Sequence, residues 1–201
     1  MSAEPVGSRP RRSSLLNAPN LLSLSRVALA PFFIWLLSYP GRIAGAVAAI
    51  AFGLACYSDW LDGHLARTRG QMTNLGKLLD PLADKILILS ALIMLCAMPR
   101  EPRIPAWIVA LIAIREVAVT GLRAIAREEG LLLGADTLGK AKTAFEVVSV
   151  FSLLVHFRYG PLDFYSAGVV FLWVALALAL WSGLTYHWRV GRALAARDAT
   201  A

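Results

Sequence analysis

Residues 86–98 read ILILSALIMLCAM, thirteen positions without a charge. A helix of that length reaches about 20 Å, short of the roughly 30 Å of hydrocarbon in a bilayer. The run is too apolar for a solvated surface helix and too short to cross a membrane unaided. It can cross only if the helix starts earlier, in NLGKLLDPLADK, and so takes Asp80, Asp84 and Lys85 into its first turns. The upstream run IAGAVAAIAFGLAC poses the same problem and is completed by YSDWLDGHLAR, which brings in Asp59 and Asp62. Charges built into such helices must face neighbouring helices or a water-filled cavity.

The remaining apolar runs extend this reading to an all-α, polytopic membrane protein with six transmembrane helices. The spans fall at about 20–39, 42–65, 75–98, 104–128, 139–159 and 162–188. With 58% hydrophobic and 16% charged residues, the 201-residue chain is far from the usual soluble composition and fits one domain. Residues 1–14 read as a disordered basic tail, 15–190 as the membrane domain and 191–201 as a cytoplasmic tail, with a short interfacial helix starting near Leu15. The polar N-terminus lacks the pattern of a cleavable signal. Pro31 predicts a kink in the first span. Cys56 and Cys96 lie in apolar runs without metal-site spacing and are expected as small buried residues, not as a disulfide.

The net charge of +7 does not indicate nucleic acid, because no aromatic-basic platform accompanies it. Its distribution sets an orientation instead. Arg9, Arg11, Arg12, Arg67, Arg69, Lys77, Arg127, Lys140, Arg189, Arg192 and Arg197 fall on the side of both termini; Arg42, Arg100, Arg103 and Arg158 fall on the other. The positive-inside rule then puts both termini and the acidic residues at the cytoplasmic face.

Four of the chain's 13 acidic residues, Asp59, Asp62, Asp80 and Asp84, lie within 26 positions. On a helix, Asp59, Asp62, Gly63, Ala66 and Arg67 share one face, and Gly76, Asp80 and Asp84 form a second stripe. Two consecutive antiparallel helices can bring the stripes together. Four carboxylates in one place repel unless cations hold them, and all-oxygen ligation suits Mg²⁺ or Mn²⁺. Two such ions make a clamp for phosphoryl chemistry. Gly63 and Ala66 permit close approach of a nucleotide, and Arg67 offers a fork for phosphate. Simple ion pairing with Arg67, Arg69, Lys77 and Lys85 would explain one aspartate; it does not explain two single-faced stripes with a glycine in each.

The pattern Asp-x2-Asp-Gly-x2-Ala-Arg-x8-Gly-x3-Asp-x3-Asp, filled by Asp59, Asp62, Gly63, Ala66, Arg67, Gly76, Asp80 and Asp84, resembles the signature of the CDP-alcohol phosphotransferase (phosphatidyltransferase) family at every defined position. NAPNLLSLSRVALAPFF, GKLLDPLADK, IREVAVTGLRAIAREEG and LGKAKT are similar to the branch of that family formed by the bacterial phosphatidylglycerophosphate synthases. The resemblance implies a six-helix enzyme of the bacterial inner membrane, homodimeric, with its site facing the cytoplasm. It implies transfer of a phosphatidyl group from CDP-diacylglycerol to glycerol 3-phosphate, with release of CMP. Asp59, Asp62, Asp80 and Asp84 would hold two divalent ions, Asp84 would also be the general base, and Asp62, Gly63, Ala66 and Arg67 would line the CDP site.

A phosphorylated acceptor needs cations near the metals. Arg115 lies deep in an apolar span beside Glu116, where an arginine is functional by default or else paired with a carboxylate of another helix. Arg123, eight residues on, shares its face. Lys140, Lys142 and Thr143 open the fifth span, where side-chain cations and helix-terminal N–H groups can meet a phosphate. Arg26, in the first span, either reaches the same cavity or snorkels to the interface. His64 occupies a free position of the signature; His156 and His187 sit at span ends, and the tryptophans suit lipid packing and the interfacial belts.

Other functions with acidic helices fit less well. A membrane prenyltransferase needs acidic motifs in two halves of a longer bundle, and a divalent-cation transporter needs ligands near the midplane. Within the family, inositol phosphate, serine or phosphatidylglycerol are the alternative acceptors.

Overall fold

In the computed structural model the backbone is described for residues 18–39, 41–69, 74–131 and 137–198, and side chains for 27–39, 41–58, 85–131 and 137–198. Among these are six helices: α1 (Ala18–Leu37), α2 (Arg42–Arg69), α3 (Asn74–Ala97), α4 (Ala106–Glu128), α5 (Thr137–Val155) and α6 (Phe164–Asp198). Each follows its expected span to within a few residues, except that α6 runs on to Asp198. Both acidic segments are helical, as the short apolar runs require. α1 continues through Pro31. Residues 1–17, covering the expected tail and the start of the interfacial helix, lie outside the described residues.

The core joins Phe33 and Leu37 of α1, Phe52 of α2, Leu92 of α3, Ile108 and Ile112 of α4, Leu153 and Leu154 of α5, and Leu172 of α6. Two glycines set the closest approaches. A Cβ at Gly45 would lie 2.6 Å from the Leu154 carbonyl oxygen, and one at Gly168 would lie 2.7 Å from Leu153 Cγ. Small residues at such crossings let helix backbones pack closely. Ser149 Oγ–H, on α5, donates to the Gly168 carbonyl at 2.8 Å, fixing α5 against α6.

Three connections gather at one end of the bundle. Arg100, between α3 and α4, donates to the Gly41 carbonyl at 2.7 Å, and Arg42 lies over the Phe157 ring at 4.5 Å. Tyr165 O–H donates to the Arg103 carbonyl at 3.1 Å. α5 stops at Val155, where His156 takes a φ of 63°. A hairpin, β1 (Arg158–Tyr159) and β2 (Leu162–Asp163), turns the chain into α6, with Gly160 at φ 60° in its two-residue loop. This minimal hairpin is an addition to the expected all-α architecture.

At the opposite end, α4 closes with Gly130 at φ 69°, and the N–H groups of Gly130 and Leu131 donate to the Arg127 and Ala126 carbonyls. This is the Schellman arrangement that the sequence EEGL favours. Leu131 and Leu194 pack on a smaller cluster of Val119, Ala126, Tyr186 and Val190. The last turns of α6 thereby lie along the end of α4, which accounts for a helix of 35 residues, about 52 Å long.

The exterior is apolar and part of the interior is charged. Every helix exposes large hydrophobic side chains, among them Trp35, Ile50, Ile93, Ile114, Phe151 and Trp181, while Glu116, Lys142 and Glu146 are buried. Among the described residues one helix, over Phe164–Arg197, is long and apolar enough to cross a membrane by itself; Val27–Leu37, Arg42–Ser58 and Lys85–Ala97 are apolar but shorter.

Candidate active site

The charged interior belongs to a cavity of about 660 Å³ between α3, α4, α5 and α6, with Cys56 of α2 at its wall. Residues 115, 119 and 123 recur every four positions on α4, so Arg115, Val119 and Arg123 line it as one stripe. The first turns of α5 contribute Gly139, Lys140, Lys142 and Thr143; Lys85 enters from α3, and Ser182 and Tyr186 from α6. Five of the six residues expected to receive an acceptor phosphate, Arg115, Arg123, Lys140, Lys142 and Thr143, therefore come together. The side chain of the sixth, Arg26, lies outside the described residues, as do those of Asp59, Asp62, Gly63, Ala66, Arg67, Asp80 and Asp84. The backbones of these residues occupy α1, the second half of α2 and the first half of α3.

Glu116 is the hub of the cluster. Its Oε1 accepts from Arg115 Nη1 at 2.5 Å and from Lys142 Nζ, and its Oε2 pairs with Lys85 Nζ at 3.2 Å. Lys142 also pairs with Glu146, one turn along α5, at 3.0 Å. Arg115 is further fixed by α6: Nε donates to the Ala179 carbonyl at 3.0 Å and Nη2 to Ser182 Oγ at 2.7 Å. Gly183 makes the room, since a Cβ there would sit 3.3 Å from Arg115 Cγ. Lys85 Nζ also donates to Thr120 Oγ1, whose own hydroxyl donates to the Glu116 carbonyl at 2.6 Å. One carboxylate thus connects α3, α4 and α5, and reaches α6 through Arg115.

Among the described residues the carboxylate partner of Arg115 comes from its own helix, not from another one. Arg115 is ion-paired with its neighbour Glu116, and it still lines the cavity. Arg123 stacks 5.6 Å from the centre of the Tyr186 ring, and among the described residues neither it nor Lys140 has a carboxylate partner. Thr143 lines the cavity, and its hydroxyl donates to the Gly139 carbonyl at 3.2 Å. Lys85, Glu116, Glu146, Ser182 and Tyr186 were not among the residues expected at the site. Cys56 and Cys96 are half-buried thiols rather than fully buried ones, and Cys56 touches the cavity.

Among the described residues five cations, Lys85, Arg115, Arg123, Lys140 and Lys142, and one carboxylate, Glu116, line the cavity, a formal surplus of four positive charges. Behind it a smaller space of about 180 Å³ is lined by Ile88, Leu89, Ile112, Lys142 and the carboxylates of Glu116 and Glu146. Such an enclosure suits a small, doubly charged anion. Among the described residues no group of three or more His, Cys, Asp or Glu side chains could hold a metal.

Residues 16–181 match the CDP-alcohol phosphatidyltransferase family. A CDP-diacylglycerol--glycerol-3-phosphate 3-phosphatidyltransferase of Bacillus subtilis is 39% identical over 184 residues, covering 86% of this chain and 94% of its own length. A probable phosphatidylglycerophosphate synthase of Mycobacterium tuberculosis is 37% identical over 198 residues, covering 96% and 90%. A CDP-diacylglycerol--glycerol-3-phosphate 3-phosphatidyltransferase of Wigglesworthia glossinidia brevipalpis is 36% identical over 184 residues, covering 89% and 97%.

Proposed function

Because the chain belongs to the CDP-alcohol phosphatidyltransferase family, we infer that it is a phospholipid-synthesising transferase of the phosphatidylglycerophosphate type. It transfers the phosphatidyl group of CDP-diacylglycerol to sn-glycerol 3-phosphate, giving phosphatidylglycerophosphate and CMP. The observation that carries the acceptor is the cationic cavity of Arg115, Arg123, Lys140, Lys142 and Lys85. A neutral acceptor would leave its surplus charge without a counter-ion. Serine, phosphatidylglycerol and inositol phosphate are the competing acceptors.

All six helices cross the bacterial inner membrane, with both termini and the acidic half of the molecule on the cytoplasmic side. Support comes from the apolar exterior on every helix and from the gathering of Arg42, Arg100, Arg103 and Arg158 at or beside the opposite connections. The functional unit is a homodimer.

Asp59, Asp62, Asp80 and Asp84 hold two Mg²⁺ or Mn²⁺ ions. The fit rests on the donor set, which is hard oxygen throughout, and on helical backbone at all four positions, which keeps each pair of carboxylates on one face. When bound, the ions neutralise the diphosphate and acidify the acceptor hydroxyl. Asp62, Gly63, Ala66 and Arg67 line the CDP site. Arg115, Arg123, Lys140, Lys142, Thr143 and Arg26 receive the acceptor phosphate, which turns the free hydroxyl towards α3. Asp84 takes the proton of that hydroxyl. The hydroxyl oxygen of the acceptor bonds to the lipid-linked phosphorus as the bond from that phosphorus to the CMP oxygen breaks, and the electron pair leaves with CMP.

An acceptor panel with purified protein, CDP-diacylglycerol and Mg²⁺ tests this reading. CMP release should require glycerol 3-phosphate and be far slower with free glycerol, serine or inositol phosphate. Equal turnover with free glycerol would overturn the phosphate pocket.

A further inference from the structure

An anion pocket with a buried carboxylate in its wall is a physical puzzle, since the carboxylate opposes the ligand. Glu116 is buried on the wall of the cavity, with Lys85, Arg115 and Lys142 all on its two oxygens. Resting on the acceptor reading above, we propose that Glu116 is a specificity-determining positioning residue: it holds three cations in fixed directions and cancels part of their charge, so that the pocket selects an acceptor by donor geometry rather than binding any phosphate-sized anion.

A donor inventory supports the assignment. A guanidinium has five N–H donors and an ammonium three. Among the described residues Arg115 uses three, on Ala179, Glu116 and Ser182, leaving two. Lys142 uses two, on Glu116 and Glu146, leaving one. Lys85 uses two, on Thr120 and Glu116, leaving one. The residual donors of three flexible or forked side chains thus keep defined directions before any ligand arrives. Without Glu116, among the described residues Lys85 is held only by Thr120 and Lys142 only by Glu146, and the cavity gains a full positive charge. Preorganised donors favour one correctly shaped ligand, whereas mobile surplus charge favours every anion.

Glu116→Gln keeps the size of the side chain and removes its charge. A unit charge about 6 Å from an anion, at an effective dielectric near 20, alters binding by tenfold or more. The expected result is that inorganic phosphate, as a competitive inhibitor against glycerol 3-phosphate, inhibits at least about tenfold more tightly. At the same time kcat with glycerol 3-phosphate falls by about tenfold or more. Direct titration of the purified protein with inorganic phosphate should show the same gain without turnover. The double variant Lys85→Met with Glu116→Gln removes both members of a half-buried pair together, restores the charge count and guards against a single variant that fails to fold. It should return phosphate affinity towards that of the unaltered protein while kcat stays low.

If phosphate and glycerol 3-phosphate weaken together in Glu116→Gln, the residue is merely structural and the inference falls. Phosphate affinity that remains raised in the double variant overturns the charge-cancelling role. Should the unaltered protein itself ignore glycerol 3-phosphate, the acceptor reading fails first, and that outcome is seen before any variant is made.

Discussion

Lys140 and Lys142 are two residues apart on α5 and line the same cavity, yet their surroundings differ sharply. Lys140 is exposed, without a carboxylate partner among the described residues; Lys142 is 3% exposed and sits between Glu116 and Glu146. Replacing Lys140 with alanine therefore removes the proposed contact to the acceptor and no ion pair among the described residues. A charge-assisted hydrogen bond contributes about 1.5–3 kcal/mol, so kcat/KM for glycerol 3-phosphate should fall roughly 10- to 100-fold with thermal stability unchanged. Lys142→Ala should show the same loss at the acceptor and, in addition, leave two buried carboxylates undercompensated. Removing one partner of a buried ion pair costs about 3–5 kcal/mol, so this variant should also unfold at lower temperature in detergent. The assay is release of labelled CMP, varying each substrate in turn, beside a thermal melt of the same preparation. A rise in KM for CDP-diacylglycerol with the acceptor constant unmoved would refute the assignment of either lysine. Equal melting points for the two variants would refute the charge-compensation argument.

Asp59→Ala, Asp62→Ala and Asp80→Ala should each abolish activity without unfolding the bundle, and EDTA should do the same to the unaltered protein; activity retained in EDTA would remove the metal mechanism. Asp84→Asn keeps one ligating oxygen but cannot accept the proton, so kcat should drop by about 10²- to 10⁴-fold with CDP-diacylglycerol still bound. If nucleotide binding is lost as fully as in Asp59→Ala, Asp84 acts chiefly as a ligand. Gly45→Ala forces a Cβ to 2.6 Å from the Leu154 carbonyl oxygen and should destabilise the protein by about 1–3 kcal/mol, read as a lower melting temperature with unchanged KM values.

Much of this architecture is legible in the sequence because bilayer thickness converts apolar run length into helix length. The run at 86–98 had to borrow Asp80, Asp84 and Lys85, and α3 starts at Asn74 accordingly. The cationic wall was legible for a similar reason: Arg115 in an apolar span has few structural uses, and LGKAKT opens a helix. Its counter-charges were not. Glu116 meets Lys142 across 26 residues and Lys85 from another helix, and such pairings depend on helix packing that periodicity does not reveal. Lys142 and Glu146, one turn apart, did carry a local signal. The break at Gly160–Pro161 was legible as a turn, but the two-residue strands on either side of it fell inside the expected spans 139–159 and 162–188, and the earlier stop comes from the backbone at His156.

Helix α3 places the two halves of the proposed reaction in register. Asp84 belongs to the acidic stripe, and Lys85, the next residue, reaches Glu116 and Thr120 on α4. Successive helical residues point about 100° apart, so one turn of backbone can address both the acidic stripe and the acceptor cavity. Glycerol 3-phosphate carries its charge at one end and its nucleophile at the other, and so needs two subsites at a fixed separation. A rigid helix fixes that separation better than a loop, because an ångström of play at the attacking oxygen is costly in rate. The Lys85–Glu116 pair then has a reason to lie beside the cavity rather than elsewhere: it holds the proposed acceptor wall to the helix that carries the proposed base. A shift of α3 relative to α4 would misplace the hydroxyl even with every ligand residue intact, which is why substitutions at this pair should act on kcat before they act on metal or nucleotide binding.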